Sequence, residues 1–323
     1  MLFEHFLEQF SHITMALIKG LHHITAIASN AQRNYDFYTK TLGLRFVKKT
    51  VNFDDPQTYH FYYGNQNAEP GTILTFFPWE GIQRGRQGTG QATETMFAVP
   101  PDSFGFWIER FKQHNIIYNN PARRFDEEYL TFLDPDGLKL QLVTAAGDAR
   151  VAAAHEEIPA KHAIQGFYGV ALTLANHEAT ATLLTESLGY TAARSEVNAH
   201  RFVSTDSPTA AVVDVVSVPG EKHGLSGGGT IHHVAFRASN DADEMTMREQ
   251  LASLGYHITP QIDRQYFHSL YFREPGGILF EIATDNPGFT VDEPLESLGT
   301  ALRLPPQHEP RRAQIEAVLP TLH

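Results

Sequence analysis

The chain contains no cysteine. That excludes disulfides, zinc–thiolate sites and thiol nucleophiles, and it fits a reducing, cytoplasmic setting. No stretch approaches the roughly 18 consecutive apolar residues of a membrane-spanning helix, and no long block carries charge of one sign. With 25 basic against 37 acidic residues the net charge is −12. An acidic surface of this kind argues against nucleic acid and anionic membrane as partners. Residues 1–20 have Glu4 and Glu8 near the start and lack a basic leader before a continuous apolar run, so they do not read as a signal peptide. Phe3, Phe6, Leu7 and Phe10 fall at helical spacing and predict a short amphipathic helix in an upstream extension, with Met15 offering a start of its own.

The chain does have length and apolar content. Its 323 residues, 42% apolar, suffice for two domains with real cores. From Leu21 a regular pattern begins. Leu21 to Ala28 reads as a strand, Ala31 to Leu42 as a helix stopped by Gly43, and Leu44 to Asn52, Thr58 to Tyr63 and Thr72 to Phe77 as three further strands. This βαβββ unit recurs with first strands at Gln91 to Pro100, Gly166 to Leu174 and Thr230 to Ala238, and helices at Phe104 to His114, Glu178 to Leu188 and Asp241 to Leu254. Units one and three align at an offset of 146, setting Leu42-Gly43-Leu44 on Leu188-Gly189-Tyr190. Units two and four align at an offset of 140, setting Asp134-Pro135-Asp136-Gly137 on Glu274-Pro275-Gly276-Gly277. Along the chain this predicts an extension over residues 1–19, halves over 20–146 and 165–285 joined by a linker over 147–164, and a tail over 286–323 with a short helix from Glu309 to Val318. The glycine- and glutamine-rich stretch Ile82 to Gly90 reads as a linker, and Glu221 to Gly229, with Ser226-Gly227-Gly228-Gly229, as a flexible one.

The alignment carries chemistry. His23 of unit one corresponds to Gly169 of unit three, Glu281 of unit four to Gln141 of unit two, and His233 to Glu94. Ligand-type residues are thus complete in the outer units and broken in the inner ones, which a purely structural role would not require. One His-His pair alone is an ordinary surface or hydrogen-bonded core feature. Two pairs, each in the first strand of a unit, together with an in-strand glutamate, are the ingredients of a two-histidine, one-carboxylate metal site. Neighbouring strand residues face opposite sides, so one histidine of each pair is expected to point at a given site, and the pattern leaves open which. In the last hairpin a three-residue turn at Pro275-Gly276-Gly277 would pair Glu274 with Ile278, Arg273 with Leu279 and Tyr271 with Glu281, bringing Tyr271 beside the carboxylate. Ordinary strand packing would also account for that tyrosine.

With these residues in view, the chain resembles the vicinal oxygen chelate superfamily, which includes glyoxalase I, fosfomycin-modifying transferases, bleomycin-binding proteins and extradiol dioxygenases. Leu21-His22-His23-Ile24-Thr25, Gly43 to Thr50, Pro70-Gly71-Thr72, Ile231-His232-His233 and Pro275 to Glu281 resemble its two-domain ring-cleaving dioxygenases acting on hydroquinones, such as the chlorohydroquinone 1,2-dioxygenases. The resemblance spans about Ile18 to Ala317. It implies an α+β fold of four βαβββ modules paired into two cup-shaped mixed β-sheet barrels, with units one and four building the site and units two and three its metal-free twin. It implies Fe(II), with Mn(II), Zn(II) or Ni(II) as substitutes, held by His23, His233 and Glu281. His22, His232, Thr25, Arg264 and Tyr271 are implied around it as pocket residues. The implied activity is O₂-dependent opening of a small hydroquinone- or catechol-like ring, in the cytoplasm, with a homo-oligomer allowed. Substrate selectivity is expected in Pro78-Trp79-Glu80 and in the crossover linker. A metal-dependent isomerase or thiol transferase, or a non-catalytic aromatic or antibiotic binder, is the alternative on the same scaffold.

Overall fold

The computed structural model describes residues 17–323, and the amphipathic helix expected over Phe3 to Phe10 lies outside the described residues. Module one comprises β1 (Ile18–Ala28), α1 (Ala31–Asp36), β2 (Arg45–Val51), β3 (Tyr59–Gly64) and β4 (Ile73–Pro78). Module two comprises β5 (Gln91–Val99), α2 (Phe104–Gln113), β6 (Ala122–Arg124), β7 (Glu127–Leu133) and β8 (Lys139–Thr144). Module three comprises β9 (Gly166–Leu174), α3 (Glu178–Thr182), β10 (Tyr190–Glu196), β11 (Ala199–Ser204) and β12 (Val212–Ser217). Module four comprises β13 (Thr230–Ala238), α4 (Asp241–Ser253), β14 (Ile262–Asp263), β15 (Phe267–Arg273) and β16 (Leu279–Pro287), and α5 (Arg312–Glu316) follows in the tail. The βαβββ repeat expected from the sequence is therefore present four times.

Two mixed eight-stranded sheets result. One runs β14-β15-β16-β13-β1-β4-β3-β2 and the other β10-β11-β12-β9-β5-β8-β7-β6. The outer modules thus share one sheet and the inner modules the other, so each half of the chain contributes one module to each sheet. The joints are antiparallel, β1 with β13 and β5 with β9, whereas β1 with β4 and β13 with β16 are parallel. Strands of both sheets and their helices share one continuous apolar core, in which Tyr38, Trp107, Phe111, Leu184 and Leu251 are buried.

Two local readings need correction. The helix expected to run unbroken from Ala31 to Leu42 passes after Asp36 into a π-helical turn, Phe37–Thr41, closed by the Leu42 N–H donating to the Phe37 carbonyl. Module three repeats the device over Leu183–Ser187. In module one the freed carbonyls of Lys40 and Thr41 accept from the buried Arg110 guanidinium at 2.6 and 2.7 Å, which offsets the broken helical ladder. Gly43 and Gly189 then stop the two helices at φ +71° and +70°, a backbone region that costs glycine little. The second correction concerns the glycine-rich connections. Instead of swinging free they zip to each other: Gly85 N–H donates to the Gly228 carbonyl, Arg86 and Leu225 exchange backbone bonds, and Gly224 N–H donates to Thr89. A Cβ on Gly227 would stand 2.5 Å from the Gln83 carbonyl, so the glycine serves close backbone approach.

The tail straps the outer sheet. On β2, Lys48 is fully buried and its ammonium donates to Glu293 at 2.6 Å and to Asp292, both in the tail. Asp292 also accepts from the Tyr266 hydroxyl at 3.0 Å and the Gln265 side-chain amide at 2.9 Å. Removing the cation would leave the buried Glu293 with only Arg303, at 3.5 Å, and the half-buried Asp292 without a cation, a class of change that costs up to about 3–5 kcal/mol. Lys48→Met is therefore expected to lower stability by roughly 3 kcal/mol or more in urea-induced unfolding. An unchanged midpoint would refute the strap.

Candidate metal centre

The β1–β13 joint shifts register at three places, and two of these bulges fall on the histidine pairs. Leu21 faces Phe236 and His23 faces Ala235, so His22 is the extra residue of β1. Thr25 faces His233 and Ala26 faces Ile231, so His232 is the extra residue of β13. A bulge re-aims side chains that a regular strand would send to opposite faces. One histidine of each pair, the second, turns into the shared site, and the first lies against its Nδ1. His22 Nδ1 lies 2.9 Å from His23 Nδ1, and His232 Nδ1 lies 2.8 Å from His233 Nδ1.

The second histidine of each pair turns its Nε2 inward. His23 Nε2 and His233 Nε2 are 3.3 Å apart, and Glu281 Oε2 lies 3.3 Å from the first and 2.9 Å from the second. All three residues are buried, and among the described residues they form the one group of three or more such side chains able to hold a metal ion. Glu281 Oε1 accepts from Ser269 Oγ at 2.5 Å, while its Oε2 has no aligned hydrogen-bond donor. Burial alone would raise the Glu281 carboxyl, but His23 and His233 against it hold it well below the usual carboxylate range. Burial sets His233 below the ordinary imidazole value, and Glu281 beside it acts the other way. If each inner ring donates its Nδ1 proton to the outer histidine, both inner Nε2 lone pairs are free. Two imidazole lone pairs and a carboxylate oxygen without a donor, converging in a buried place, fit a divalent cation.

Register explains the convergence. His23, Ala235, Glu281 and Tyr271 occupy one row across β1, β13, β16 and β15. Tyr271 pairs with Glu281 and Arg273 with Leu279, the Glu274 N–H donates to the Ile278 carbonyl, and Gly277 has φ +96°, as the three-residue turn predicted. Above the triad lies a cavity of about 390 Å³, lined by aromatic and polar side chains. Of the expected site residues, His23, His233, His232, Tyr271 and Arg264 line it, with Glu281 buried at its floor. His22 and Thr25 are buried behind it, His22 against Phe267 and Thr25 on Thr75. Arg264 lies between the rings of Phe53 and Tyr271, 5.5 and 5.3 Å from their centroids, and its Nε donates to the Tyr271 hydroxyl at 3.3 Å. Burial, then Glu281, raises Tyr271, which keeps its proton. The enclosing protein and then His233 push His232 down to about 3, so it is neutral.

Trp79 lines the cavity as expected, but the crossover linker does not. The rim is instead Asn52 to Asp55, a turn in which Asn52 Oδ1 accepts from the Asp54 and Asp55 N–H groups and Asp55 accepts from Trp79 Nε1 at 3.0 Å. His60, Tyr62 and Phe77 complete the wall, and none of these was singled out from the sequence. The available signal was the His60-x-Tyr62 spacing, which puts two polar rings on one face of a strand.

The inner sheet provides a comparison within the molecule. Its β5–β9 joint carries the same two bulges, at Thr93 and Tyr168, the residues aligned with His232 and His22. At the ligand positions stand Gly169, Glu94 and Gln141, and a Cβ on Gly169 would meet the Val212 carbonyl at 2.4 Å. Gln141 donates to Glu94 at 2.6 Å, and Asp214 takes a bidentate pair from Arg201 at 2.7 and 2.9 Å with Arg124 at 3.1 Å. This interior satisfies its own charges.

One divalent ion per chain is therefore expected to bind. At 100 to 1,000 times its dissociation constant it should add roughly 3–4 kcal/mol to stability, read as a rise in melting temperature under argon. His233→Ala and Glu281→Gln should abolish that rise. A rise retained in both variants would place the ion elsewhere.

The chain is similar to known proteins over most of its length. The model of the Glyoxalase/Bleomycin resistance protein/Dioxygenase superfamily matches residues 20–142 and 145–282. The Bacillus subtilis protein MhqO, provisionally named a ring-cleaving dioxygenase, is 45% identical over 297 residues, covering 92% of this chain and 94% of its own. A chlorohydroquinone/hydroquinone 1,2-dioxygenase of Sphingobium indicum is 32% identical over 299 residues, covering 90% and 93%. Among solved structures, a protein from Bacillus subtilis provisionally described as a dioxygenase superposes with a TM-score of 0.92 at 44% identity, over 95% of this chain and 98% of that one.

Proposed function

The chain belongs to the Glyoxalase/Bleomycin resistance protein/Dioxygenase superfamily, and from that premise we propose that it is a ring-cleaving dioxygenase for hydroxylated aromatic rings of the hydroquinone or catechol type. The observation that carries the proposal is the buried convergence of His23, His233 and Glu281 beneath an aromatic-lined cavity. We further assign Fe(II) to those three residues, an extradiol type of cleavage, and pocket roles to the residues above the floor. Ferrous iron held there would supply the electron transfer that a spin-paired ring and triplet O₂ cannot carry out directly.

The chain's own residues prepare the ring. Phe77, Trp79, Phe53 and Phe267 form an apolar slot whose walls exclude water from a planar ligand. Around the ring oxygen the polar groups are donors. The Tyr271 hydroxyl accepts from Arg264 and so directs its own proton away from the guanidinium. His232, accepting at Nδ1 from His233, keeps a proton on Nε2. Donors and a buried cation favour an ionised ring hydroxyl over a neutral one, and they stabilise negative charge as it grows on oxygen. His22 fixes the His23 ring in the same way that His232 fixes His233. In the overall reaction one ring C–C bond breaks, two C–O bonds form and both atoms of O₂ remain in the product, so no further reductant is needed.

Iron-loaded protein is expected to consume one O₂ per ring opened when given hydroquinones or catechols. Tyr271→Phe, at matched iron content, is expected to lose about 10²–10³-fold in kcat, as for removal of one aimed donor. Absence of O₂ uptake with every ring tested would sink the dioxygenase reading and favour an isomerase or a binder. Unchanged turnover in Tyr271→Phe would remove that residue's role alone.

A further inference from the structure

Four side chains on the cavity's module-one side form a hydrogen-bonded array for which the chemistry above has no use. Thr25 Oγ1 and Thr75 Oγ1 are 2.7 Å apart, Thr75 Oγ1 and His60 Nε2 are 3.0 Å apart, and His60 Nδ1 and the Tyr62 hydroxyl are 3.0 Å apart. The array follows one row of the sheet: Tyr62 faces Thr75 across β3 and β4, and Thr75 faces Thr25 across β4 and β1. Thr25 in turn faces His233 across the joint. All four members are buried, and of the four His60 and Tyr62 line the cavity.

Counting protons gives the array a direction. Burial, with His23, His233 and Arg264 nearby, keeps His60 neutral, so each member has one proton to donate. Four protons serve three contacts, which leaves one over, at the Thr25 end or the Tyr62 end. Thr25 is fully buried and its hydroxyl bonds only to Thr75, so a spare proton there would be an orphaned donor, which burial makes costly. The favoured order is Thr25 to Thr75, Thr75 to His60 Nε2, and His60 Nδ1–H to the Tyr62 oxygen. The spare proton is then the phenolic one of Tyr62, at the cavity wall. Because Tyr62 already accepts, its own donation is strengthened.

The inner sheet makes the array conspicuous. By register, Tyr62, Thr75 and Thr25 correspond to Arg201, Asp214 and Ala171, and His60 to Ala199. There the row is closed by the bidentate Arg201–Asp214 pair, which has nothing left to offer a ligand. The fold thus tolerates a closed row, and the open, neutral row in the outer sheet answers to something in the cavity. Strand order says where. Tyr62 stands on β3, two strand spacings from His23 on β1 and three from His233 on β13, roughly 10 and 14 Å along the curled sheet. An oxygen adjacent to the one held at the triad would lie too near the floor to reach it.

We propose that Tyr62 is a substrate-binding residue that donates to an oxygen on the ring edge far from the triad, and that Thr25, Thr75 and His60 are positioning residues that aim its proton. The site would thereby select hydroquinone-type rings over monophenols and catechols. The identity of the ligand rests on the ring-cleaving reading above, whereas the direction of the array does not.

The test is calorimetric titration of the iron-loaded protein under argon with hydroquinone, catechol and phenol, which needs no turnover. Tyr62→Phe is expected to weaken hydroquinone about tenfold, the value of one hydrogen bond, and to leave phenol and catechol within twofold, roughly the noise of additivity. Thr75→Val should weaken hydroquinone in the same direction, Thr75→Ser should restore it, and Thr75→Val added to Tyr62→Phe should cost nothing more. In turnover the loss should fall on KM, with kcat little changed. Equal weakening of all three rings, or unchanged hydroquinone binding, overturns the assignment while leaving ring cleavage intact. Wild-type protein that binds none of the rings overturns the parent reading and the Tyr62 role with it. Should Tyr62→Phe fail to fold, the Thr75→Val and Thr75→Ser pair decides alone.

Discussion

Everything at the site depends on the antiparallel joint of β1 with β13. It sets His23 against Ala235 and Thr25 against His233, so residues 210 positions apart in the chain become neighbours in rows two apart along the joint. Closing a loop of that length in one step would cost roughly 5 kcal/mol in chain entropy. The cost is offset by burying Leu21, Ile24, Val234 and Phe236 along the joint. A slip of one residue would turn every ligand to the opposite face. The two bulges guard against it, since each accommodates an extra residue at one place only, and a slipped register would put that residue where the ladder has no room for it. The same bulges let two consecutive histidines serve one centre, one offering Nε2 and the other fixing its ring.

The inner sheet separates what the fold requires from what the site requires. Its joint has matching bulges at Thr93 and Tyr168, so the bulges belong to the architecture and the histidines to the centre. Where the outer sheet places unsatisfied ligand atoms, the inner sheet places partners for every charge. Arg201 and Arg124 meet Asp214, and Gln141 meets Glu94. Buried charge without a partner is expensive. A cup that holds nothing must therefore fill itself, and one that leaves a carboxylate oxygen without a donor is built around an occupant.

Much of this was legible in the sequence because it is local or periodic. The four βαβββ units, the stops at Gly43 and Gly189, and the pairing of Tyr271 with Glu281 each follow from spacing within a few residues. The ligand set became legible through the offset between repeats, which turned a missing histidine at Gly169 into information. The bulges were not legible, because an extra residue in a ladder shows only when both strands are aligned in space. The His60–Tyr62 array was missed for the same reason: its members come from three strands brought together by parallel and antiparallel pairing. The glycine-rich connections misled by composition, since glycine serves a tight backbone contact as well as it serves freedom. The rim was expected partly in the crossover linker, yet Asn52 to Asp55 supplies it, pinned by a Trp79–Asp55 bond that joins two turns far apart in sequence.

The centre is divided unevenly between the chain's ends, and the division has a physical consequence. Module four supplies two of the three candidate ligand atoms, on His233 and Glu281, and the Tyr271, Arg264 and His232 side chains beside them. Module one supplies one ligand and most of the remaining wall, from Asn52 to Trp79. The module-one wall meets module four where Phe53 lies under Arg264 and Phe77 packs on His232, as well as through the row that ends at Thr25. The tail keeps the two parts in step. Asp292 takes Lys48 from β2 and, on its other side, Gln265 and Tyr266, the residues that follow Arg264. Gln265 sits at φ +70°, a backbone state that a non-glycine residue adopts at a cost, and the two side-chain bonds to Asp292 offset it. The guanidinium over Tyr271 is thus held by the Lys48–Asp292 ion pair, on the sheet face that Lys48 shares with Tyr62, so the tail supports the centre although no atom of it lines the cavity.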